Sequence, residues 1–434
     1  MPVDHVVVFG DSLSDIGRKW KQPMGMVASC IRDNGLRMLA VNATGRFSDS
    51  KNWTDYMFRA TAGRDLVVGT AEESIRASGE FHRLSSRWVT PPGGSRFRFA
   101  NYAVGGAVGW RASAIDKKIG LTTFSDQVDE FTEDFNAVAT AGDPGDHNFL
   151  FIVMFGANDI YTDEKDRNVS AFIGRGIIEQ CERLRSLLHG RGLIPEIVVA
   201  GVGYPFQSVF FTSRLESLPS EEKRAYRRKV DRMHGQVATL NTCLRQHCEQ
   251  TEKWHYFSMR EALLALVEDA GILDIDPSSY QTVEQFKMIS HKEDAIHFAD
   301  PRNCLLLDTQ GRRPLFTADQ KHPTSFGYQY LWTRMLRLLM EKHLLFGALS
   351  EPPPLAPMLI YRWQKDSEVH TCQKCRTEFG FFTRRHHCRV CGGIFCDHCT
   401  RHRKTLDRPL TERGQSEEYG VRDCRVCDNC KDKN

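Results

Sequence analysis

No run of eighteen apolar residues occurs anywhere in the sequence, which excludes an ordinary membrane-spanning helix. The first residues lack a basic segment followed by an apolar core and a cleavage site, so no Sec-type leader is expected. Internal repeats and low-complexity tracts are also missing, which excludes solenoids and long disordered tails. Net charge is small, +3 over 434 residues, so no nucleic-acid-sized field covers the whole protein. Cysteine is sparse until late: Cys30, Cys181, Cys243, Cys248 and Cys304 are all that precede residue 372.

What is present is unevenly distributed. From Met358 onward there are 16 Lys+Arg against 11 Asp+Glu, leaving 42 against 44 before it, so the basicity belongs to the tail. Nine of the 14 cysteines lie between Cys372 and Cys430. Length and the proline-rich stretch Glu351 to Pro357 divide the chain into residues 1–348, a semi-rigid linker 349–357 and a small unit 358–434. With 41% hydrophobic and 26% charged residues, the composition is globular.

The front unit alternates short apolar β-branched runs with amphipathic stretches. His5 to Phe9, Phe97 to Val104, Phe149 to Phe155, Ile197 to Gly201 and Trp254 to Met259 read as strands. Trp53 to Ala60, Ile177 to Leu188, Glu221 to Glu249 and Arg260 to Ala270 read as helices. Such alternation implies an α/β fold with a mostly parallel sheet flanked by helices. Three strands end in glycine-bearing turns, at Gly10, Gly105-Gly106 and Gly156, which places those turns at one edge of the sheet, where open α/β folds put their chemistry. Residues 274–311 lack periodicity and are expected to form a long loop near the site.

A serine hydroxyl needs a base to take its proton and fixed donors for the charge that develops on the attacked carbonyl. Ser12 follows the first strand directly. Asp319 stands three residues before His322, a spacing that lets a carboxylate orient an imidazole base. The peptide N–H of Ser12, that of Gly106 and the Asn158 side-chain amide are the candidate oxyanion donors. Glycine suits position 106 because the backbone there must come close to substrate.

Gly10-Asp11-Ser12-Leu13, Asn101 to Gly106, Gly156-Ala157-Asn158-Asp159 and Asp319 to His322 together resemble the four motif blocks of the GDSL, or SGNH, hydrolases. The resemblance implies a flavodoxin-like sheet, with Ser12 as nucleophile, His322 and Asp319 completing a triad, and Gly106 and Asn158 in the oxyanion site. Gly10 to Asp15 with Gly45 to Ser48 and His322-Pro323-Thr324 is similar to the lipase and phospholipid:cholesterol acyltransferase branch, which includes SseJ-like bacterial effectors. Two positions depart from that pattern, Arg18 where asparagine is frequent and Ala318 where an aromatic residue is frequent, and both leave substrate choice open. The implied activity is that of a serine esterase or phospholipase, or of a phospholipid-dependent acyltransferase with cholesterol as a possible acceptor and a host protein as a possible activator. No organic cofactor is implied.

In the tail, four Cys-x-x-Cys pairs supply eight thiolates: Cys372 with Cys375, Cys388 with Cys391, Cys396 with Cys399 and Cys427 with Cys430. Eight such ligands imply two closed structural zinc sites in a unit too small for a large apolar core. Phe381 and Phe382 stand beside the run Arg384 to Arg389, a pairing suited to an anionic lipid surface rather than to nucleic acid. Trp363 to Asp366, Arg384 to Arg389 and Arg425-Val426-Cys427 resemble the three signature motifs of FYVE domains. That resemblance implies zinc ligation by alternating pairs and recognition of phosphatidylinositol 3-phosphate. It further implies headgroup contacts from Asp366, Arg384, Arg385, His387, Arg389 and Arg425, membrane insertion of Phe381 and Phe382, and residence on the cytosolic face of endosomal or phagosomal membranes. Cys424 is a spare thiol, and the stretch from Pro409 to Gly420 is an expected insertion. A lipid-binding adaptor with a catalytically silent hydrolase fold is the competing expectation.

Overall fold

The computed structural model describes residues 3–19, 42, 44–48, 51–111, 122–140, 147–162, 169–203, 215, 217–262, 322–323, 325–349, 366, 369–375, 377–380, 382–406, 410–411, 414–415, 421–428 and 430–431. The expected loop at 274–311, the proline linker, Asp319, Phe381 and Trp363 to Lys365 lie outside them, as does most of the helix expected at 260–270. Two compact units result, the first holding every described residue up to Leu349 and the second every one from Asp366. Among the described residues no helix is long and apolar enough to cross a membrane.

The first unit runs β1 (His5–Gly10), α1 (Trp53–Ala62), α2 (Ala71–Gly79), β2 (Arg98–Asn101), α3 (Phe124–Thr140), β3 (Phe149–Met154), α4 (Ala157–Thr162), α5 (Val169–His189), β4 (Glu196–Ala200), α6 (Ser220–Gln250), β5 (Trp254–Phe257) and α7 (Ser325–Glu341). Its five strands are parallel in the order β2-β1-β3-β4-β5, the flavodoxin-like order. Every residue of β1 and β3 is buried, because helices cover both faces and an apolar side chain is wanted at each position. On one face Val7, Phe9, Phe151, Val153 and Val199 meet Phe131 of α3, Ile173, Ile177 and Leu184 of α5 and Val237 and Leu240 of α6. On the other, Val6, Val8, Leu150, Ile152 and Val198 meet Trp53 and Phe58 of α1 and Leu331, Met335 and Leu339 of α7.

Parallel strands end together, so β1 and β3 bring the segments after Gly10 and Met154 to the same rim. The chain leaves β1 for a neighbour on one side and for β3 on the other, and ligands bind beside such a reversal of strand order. The β2 ladder stops at Asn101, short of the Val104 expected from alternation. Tyr102 N–H still bonds to Val8 O and Val104 N–H to Gly10 O, while the Asn101 amide turns to Ser14 O at 2.9 Å.

The second unit contains β6 (His386–His387), β7 (Ile394–Phe395), a 3₁₀ turn at Asp397–Thr400, β8 (His402–Leu406), β9 (Leu410–Thr411), β10 (Gly414–Gln415) and β11 (Val421–Val426). They pair as three antiparallel ribbons, β6 with β7, β8 with β11 and β9 with β10. The β9–β10 ribbon falls within the expected insertion. Its core is chiefly cysteine, with Phe395 and Val426.

Candidate active site and lipid-binding surface

The loop after β1 is built around carboxylates. Asp15, fully buried, takes N–H bonds from Gly17 and Arg18 on one oxygen at 2.8 and 2.7 Å and from Lys19 and Gly105 on the other at 3.1 and 2.7 Å. The first three bonds close the Ser12 loop on itself, and the fourth joins it to the turn after β2. Burial raises the Asp15 carboxyl above its ordinary value, against the pull of those bonds. Arg18, where the family pattern has asparagine, latches the same loop outward, to Tyr102 O at 2.8 Å and Glu130 at 2.5 Å. Gln127 of α3 grips the last strand residue twice, accepting from Gly10 N–H at 3.1 Å and donating to Gly10 O at 2.8 Å.

Ser12 emerges from this loop 8% exposed. His322, 310 residues later, places Nε2 at 2.7 Å from Ser12 Oγ. A hydroxyl and an imidazole nitrogen at that distance can exchange a proton directly. The imidazole rests against the Phe47 ring, centroids 5.1 Å apart. The Phe47 segment is tied to α7 in turn: Tyr328 Oη donates to Phe47 O at 3.1 Å, and Lys51 N–H donates to Ser325 Oγ at 2.6 Å. Under it lies a fully buried pair in which Arg46 Nε and Nη2 hold the two carboxylate oxygens of Asp55 at 3.1 and 2.7 Å. Arg46 also donates to Thr44 O and Ser78 Oγ, both at 2.8 Å.

Asn158 opens α4 at the end of β3. Its Nδ2 lies 3.3 Å from Asp11 Oδ2 and 3.0 Å from Ala107 O, so the amide sits between the residue before Ser12 and the residue after Gly106. Gly106 has φ +83°, a left-handed conformation that glycine adopts without penalty. At Gly105 an added Cβ would lie 2.2 Å from the Phe47 ring. The Asp159 carboxylate accepts from Gly109 and Trp110 N–H at 2.8 and 3.0 Å, holding the far end of the same turn. Burial pushes the Asp11 carboxyl up to about 6, against the N–H of Leu13 and the attraction of His322.

The structure therefore brings Ser12 to His322, and Asn158 to the Gly106 turn. Asp319 lies outside the described residues. Asp11, Asp15, Phe47 and Asp159 escaped the sequence reading as site residues although all four stand inside the quoted motifs. Nothing in a motif distinguishes a carboxylate that lies beside Asn158 from one that caps a turn.

A family model for GDSL-like lipases and acylhydrolases matches residues 6–332, three quarters of the chain. The chain belongs to this GDSL-like lipase/acylhydrolase family. Among solved structures it is similar to a catalytic variant of an acetylxylan esterase from Geobacillus stearothermophilus, at 14% identity and TM-score 0.30, covering 78% of this chain and 95% of that one. A carbohydrate acetylesterase from Sinorhizobium meliloti is similar at 14% identity and TM-score 0.29, covering 59% and 83%. The FYVE zinc finger model matches residues 362–434, so a GDSL hydrolase domain is fused to a C-terminal FYVE domain. Human zinc finger FYVE domain-containing protein 1 is 46% identical over 68 residues, 16% of this chain and 8% of that protein. Arrestin domain-containing protein A of Dictyostelium discoideum is 35% identical over 102 residues, 23% of this chain and 16% of that protein. The chain thus spans only a small part of the curated relatives it matches.

The FYVE domain binds two zinc ions, and its thiols fit them. Cys372, Cys375, Cys396 and Cys399 form one cluster and Cys388, Cys391, Cys427 and Cys430 the other, each with its sulfurs within 4.8 Å of one another. Cys375 and Cys396 sulfurs lie 3.6 Å apart and those of Cys391 and Cys427 4.0 Å. A tetrahedron of sulfurs about 2.3 Å from zinc has edges of about 3.8 Å. The pairing alternates along the chain, first with third and second with fourth. Cys427 N–H donates to Cys388 Sγ at 3.2 Å, a bond that steadies a thiolate ligand. Cys424 belongs to neither cluster; its Sγ contacts Val421 O.

The expected headgroup residues gather along β6 and β11. Arg385 Nε donates to Val369 O at 3.0 Å with its guanidinium 5.0 Å from the Phe379 ring centroid. His387 Nε2 lies 3.8 Å from Asp366, and Arg389 N–H bonds to Arg425 O at 2.7 Å. Arg425 is held on Asp397 at 2.6 Å, burial lowers the Arg389 guanidinium below its usual value, and Arg384 is exposed. Phe382 is 96% exposed, a large apolar side chain left almost wholly to solvent.

Proposed function

We propose that this protein is a serine carboxylic-ester hydrolase that cleaves acyl esters of phospholipid on membranes bearing phosphatidylinositol 3-phosphate, to which its FYVE domain recruits it. The observation that carries the reading is the 2.7 Å approach of His322 Nε2 to Ser12 Oγ at the carboxyl rim of β1 and β3. Ser12 Oγ attacks the acyl carbonyl as its proton passes to His322 Nε2. The N–H groups of Ser12 and Gly106 and the Asn158 amide receive the oxyanion. Collapse of the tetrahedral adduct expels the alcohol, which takes the proton back from the imidazolium and leaves an acyl ester on Ser12. Asp319 is assigned to the other imidazole nitrogen. Water, or an alcohol such as cholesterol, resolves the acyl-enzyme with His322 again as base. The similarity of Gly10 to Asp15, with Gly45 to Ser48 and His322-Pro323-Thr324, to the branch that includes SseJ-like effectors supports acyl transfer, a host protein as activator and a bacterial effector as the setting.

Recruitment rests on the lipid face of the second domain. The cationic groups of Arg384, Arg385, His387, Arg389 and Arg425 take the phosphates, Asp366 takes inositol hydroxyls, and Phe382 with Phe381 enters the bilayer. The two halves are tested separately. The parent hydrolyses p-nitrophenyl esters and Ser12→Ala loses nearly all of that activity, while both float equally with vesicles containing the 3-phosphate. Arg384→Ala loses flotation and keeps hydrolysis of the soluble ester. An inactive parent that still floats establishes the silent adaptor instead. Equal flotation on 3-phosphate and 4-phosphate vesicles removes the headgroup reading. Lipid mass spectrometry of membranes exposed to parent and Ser12→Ala identifies the acyl donor and acceptor.

A further inference from the structure

Asparagine at an oxyanion site is ambiguous, because rotating the amide by half a turn replaces its N–H donors with a carbonyl oxygen. In this fold the ambiguity is removed by Asn158's neighbours. Nδ2 faces two acceptors, Asp11 Oδ2 at 3.3 Å and Ala107 O at 3.0 Å, which lie next in sequence to Ser12 and Gly106. Ala107 O is a backbone carbonyl and always accepts. Asp11 accepts only as a carboxylate; as a neutral acid it carries an O–H that can donate to the Asn158 carbonyl, and the reversed amide then gains a partner.

We propose that Asp11 is a positioning residue whose buried carboxylate, with Ala107 O, fixes Asn158 with its N–H side between the Ser12 and Gly106 peptides, and that the oxyanion site is fully set only while Asp11 is ionised. This rests on the esterase reading above. Asp11 is 3% exposed, and its other oxygen is engaged by Leu13 N–H at 3.0 Å, so the carboxylate has a fixed direction. The longer of the Asn158 bonds is the one to Asp11, which lets that N–H be shared with an oxyanion as charge develops. The titratable groups that act most strongly on Asp11 are His322, from the segment ahead of α7, and Asp159, from α4. His322 favours the carboxylate and Asp159 opposes it, and burial lifts Asp11 to about 6, within reach of mildly acidic conditions.

The deprotonation of Asp11 then adds a step of its own to the acid limb of the rate. The experiment is a pH profile of the full chain on a soluble p-nitrophenyl ester between pH 4.5 and 8. In the parent, log kcat/KM climbs at low pH with a slope above one across the range in which Asp11 ionises; in Asp11→Asn the slope nowhere exceeds one. The variant also loses about tenfold in kcat with KM nearly unchanged, the difference between a charge-assisted and a neutral bond to Asn158. A parent slope that nowhere exceeds one, which needs no variant, overturns the proposal, as does a slope above one retained in Asp11→Asn. Loss of activity in Ser12→Ala together with either of those results leaves the esterase reading standing and removes only the role of Asp11. Full activity in Ser12→Ala removes the esterase reading itself.

Discussion

Replacing Arg46 by methionine removes the cation of the fully buried pair with Asp55 and leaves a carboxylate without its bidentate partner. Breaking a buried pair from one side costs about 3–5 kcal/mol, most of it the desolvation of the charge left behind. The bonds from Arg46 to Thr44 O and Ser78 Oγ go as well. For a domain of roughly 350 residues, at about 2.1 cal/mol/K of unfolding entropy per residue, that cost lowers Tm by about 4–7 °C. Asp55 also accepts from Asn52 N–H at 2.9 Å in the capping box of α1, so the start of α1 frays with it. The double variant Arg46→Met with Asp55→Asn costs less than the two singles together, because no charge is stranded. Since Phe47 adjoins Arg46 and carries the His322 ring, kcat/KM on soluble esters also falls in Arg46→Met, while flotation on lipid vesicles does not change. Urea unfolding followed by tryptophan fluorescence measures the first effect. A single variant that costs under about 1 kcal/mol, or a double that equals the sum, refutes the reasoning.

The Asp11 carboxyl, lifted to about 6 from an ordinary 3.8, makes the native state bind its proton more tightly than the unfolded chain does. Its contribution to stability is therefore lost as pH rises from about 4 to 6, and about 3 kcal/mol is the full difference. Asp11→Asn is accordingly more stable than the parent at pH 7.5, with the gap closing near pH 4.5 in matched urea titrations. Stripping zinc with a strong chelator unfolds the FYVE domain and abolishes flotation on 3-phosphate vesicles, yet leaves hydrolysis of soluble esters intact; parallel loss of both activities contradicts this. Phe382→Asp weakens vesicle binding at least tenfold, the order expected when one buried aromatic side chain is exchanged for a charge, and leaves binding of soluble headgroup unchanged by calorimetry.

Much of the sheet was legible because a strand covered on both faces has an unbroken apolar sequence. His5 to Gly10, Phe149 to Met154 and Glu196 to Ala200 announced themselves in that way. The amphipathic α6 was equally plain. Helix α2 was not, since AEESIRASG buries only Ser74 and Ser78 and its one signal is the Thr70 and Glu73 capping box. Helix α3 carries Phe124, Val128, Phe131 and Phe135 at helical spacing and was open to the same reasoning. Ser12 and His322 were paired through motif resemblance, because a separation of 310 residues says nothing of distance. The bond between Asp11 and Asn158 depends on where two strands end in space, a property of register rather than of local pattern.

That same long separation between Ser12 and His322 has a consequence for biosynthesis. At about 5–20 residues per second a ribosome needs roughly 15–60 s to travel from the serine codon to the histidine codon. Throughout that interval the nascent polypeptide carries the Ser12 hydroxyl without the imidazole it meets in the finished fold. A product released before residue 322 therefore lacks the Ser12–His322 contact altogether.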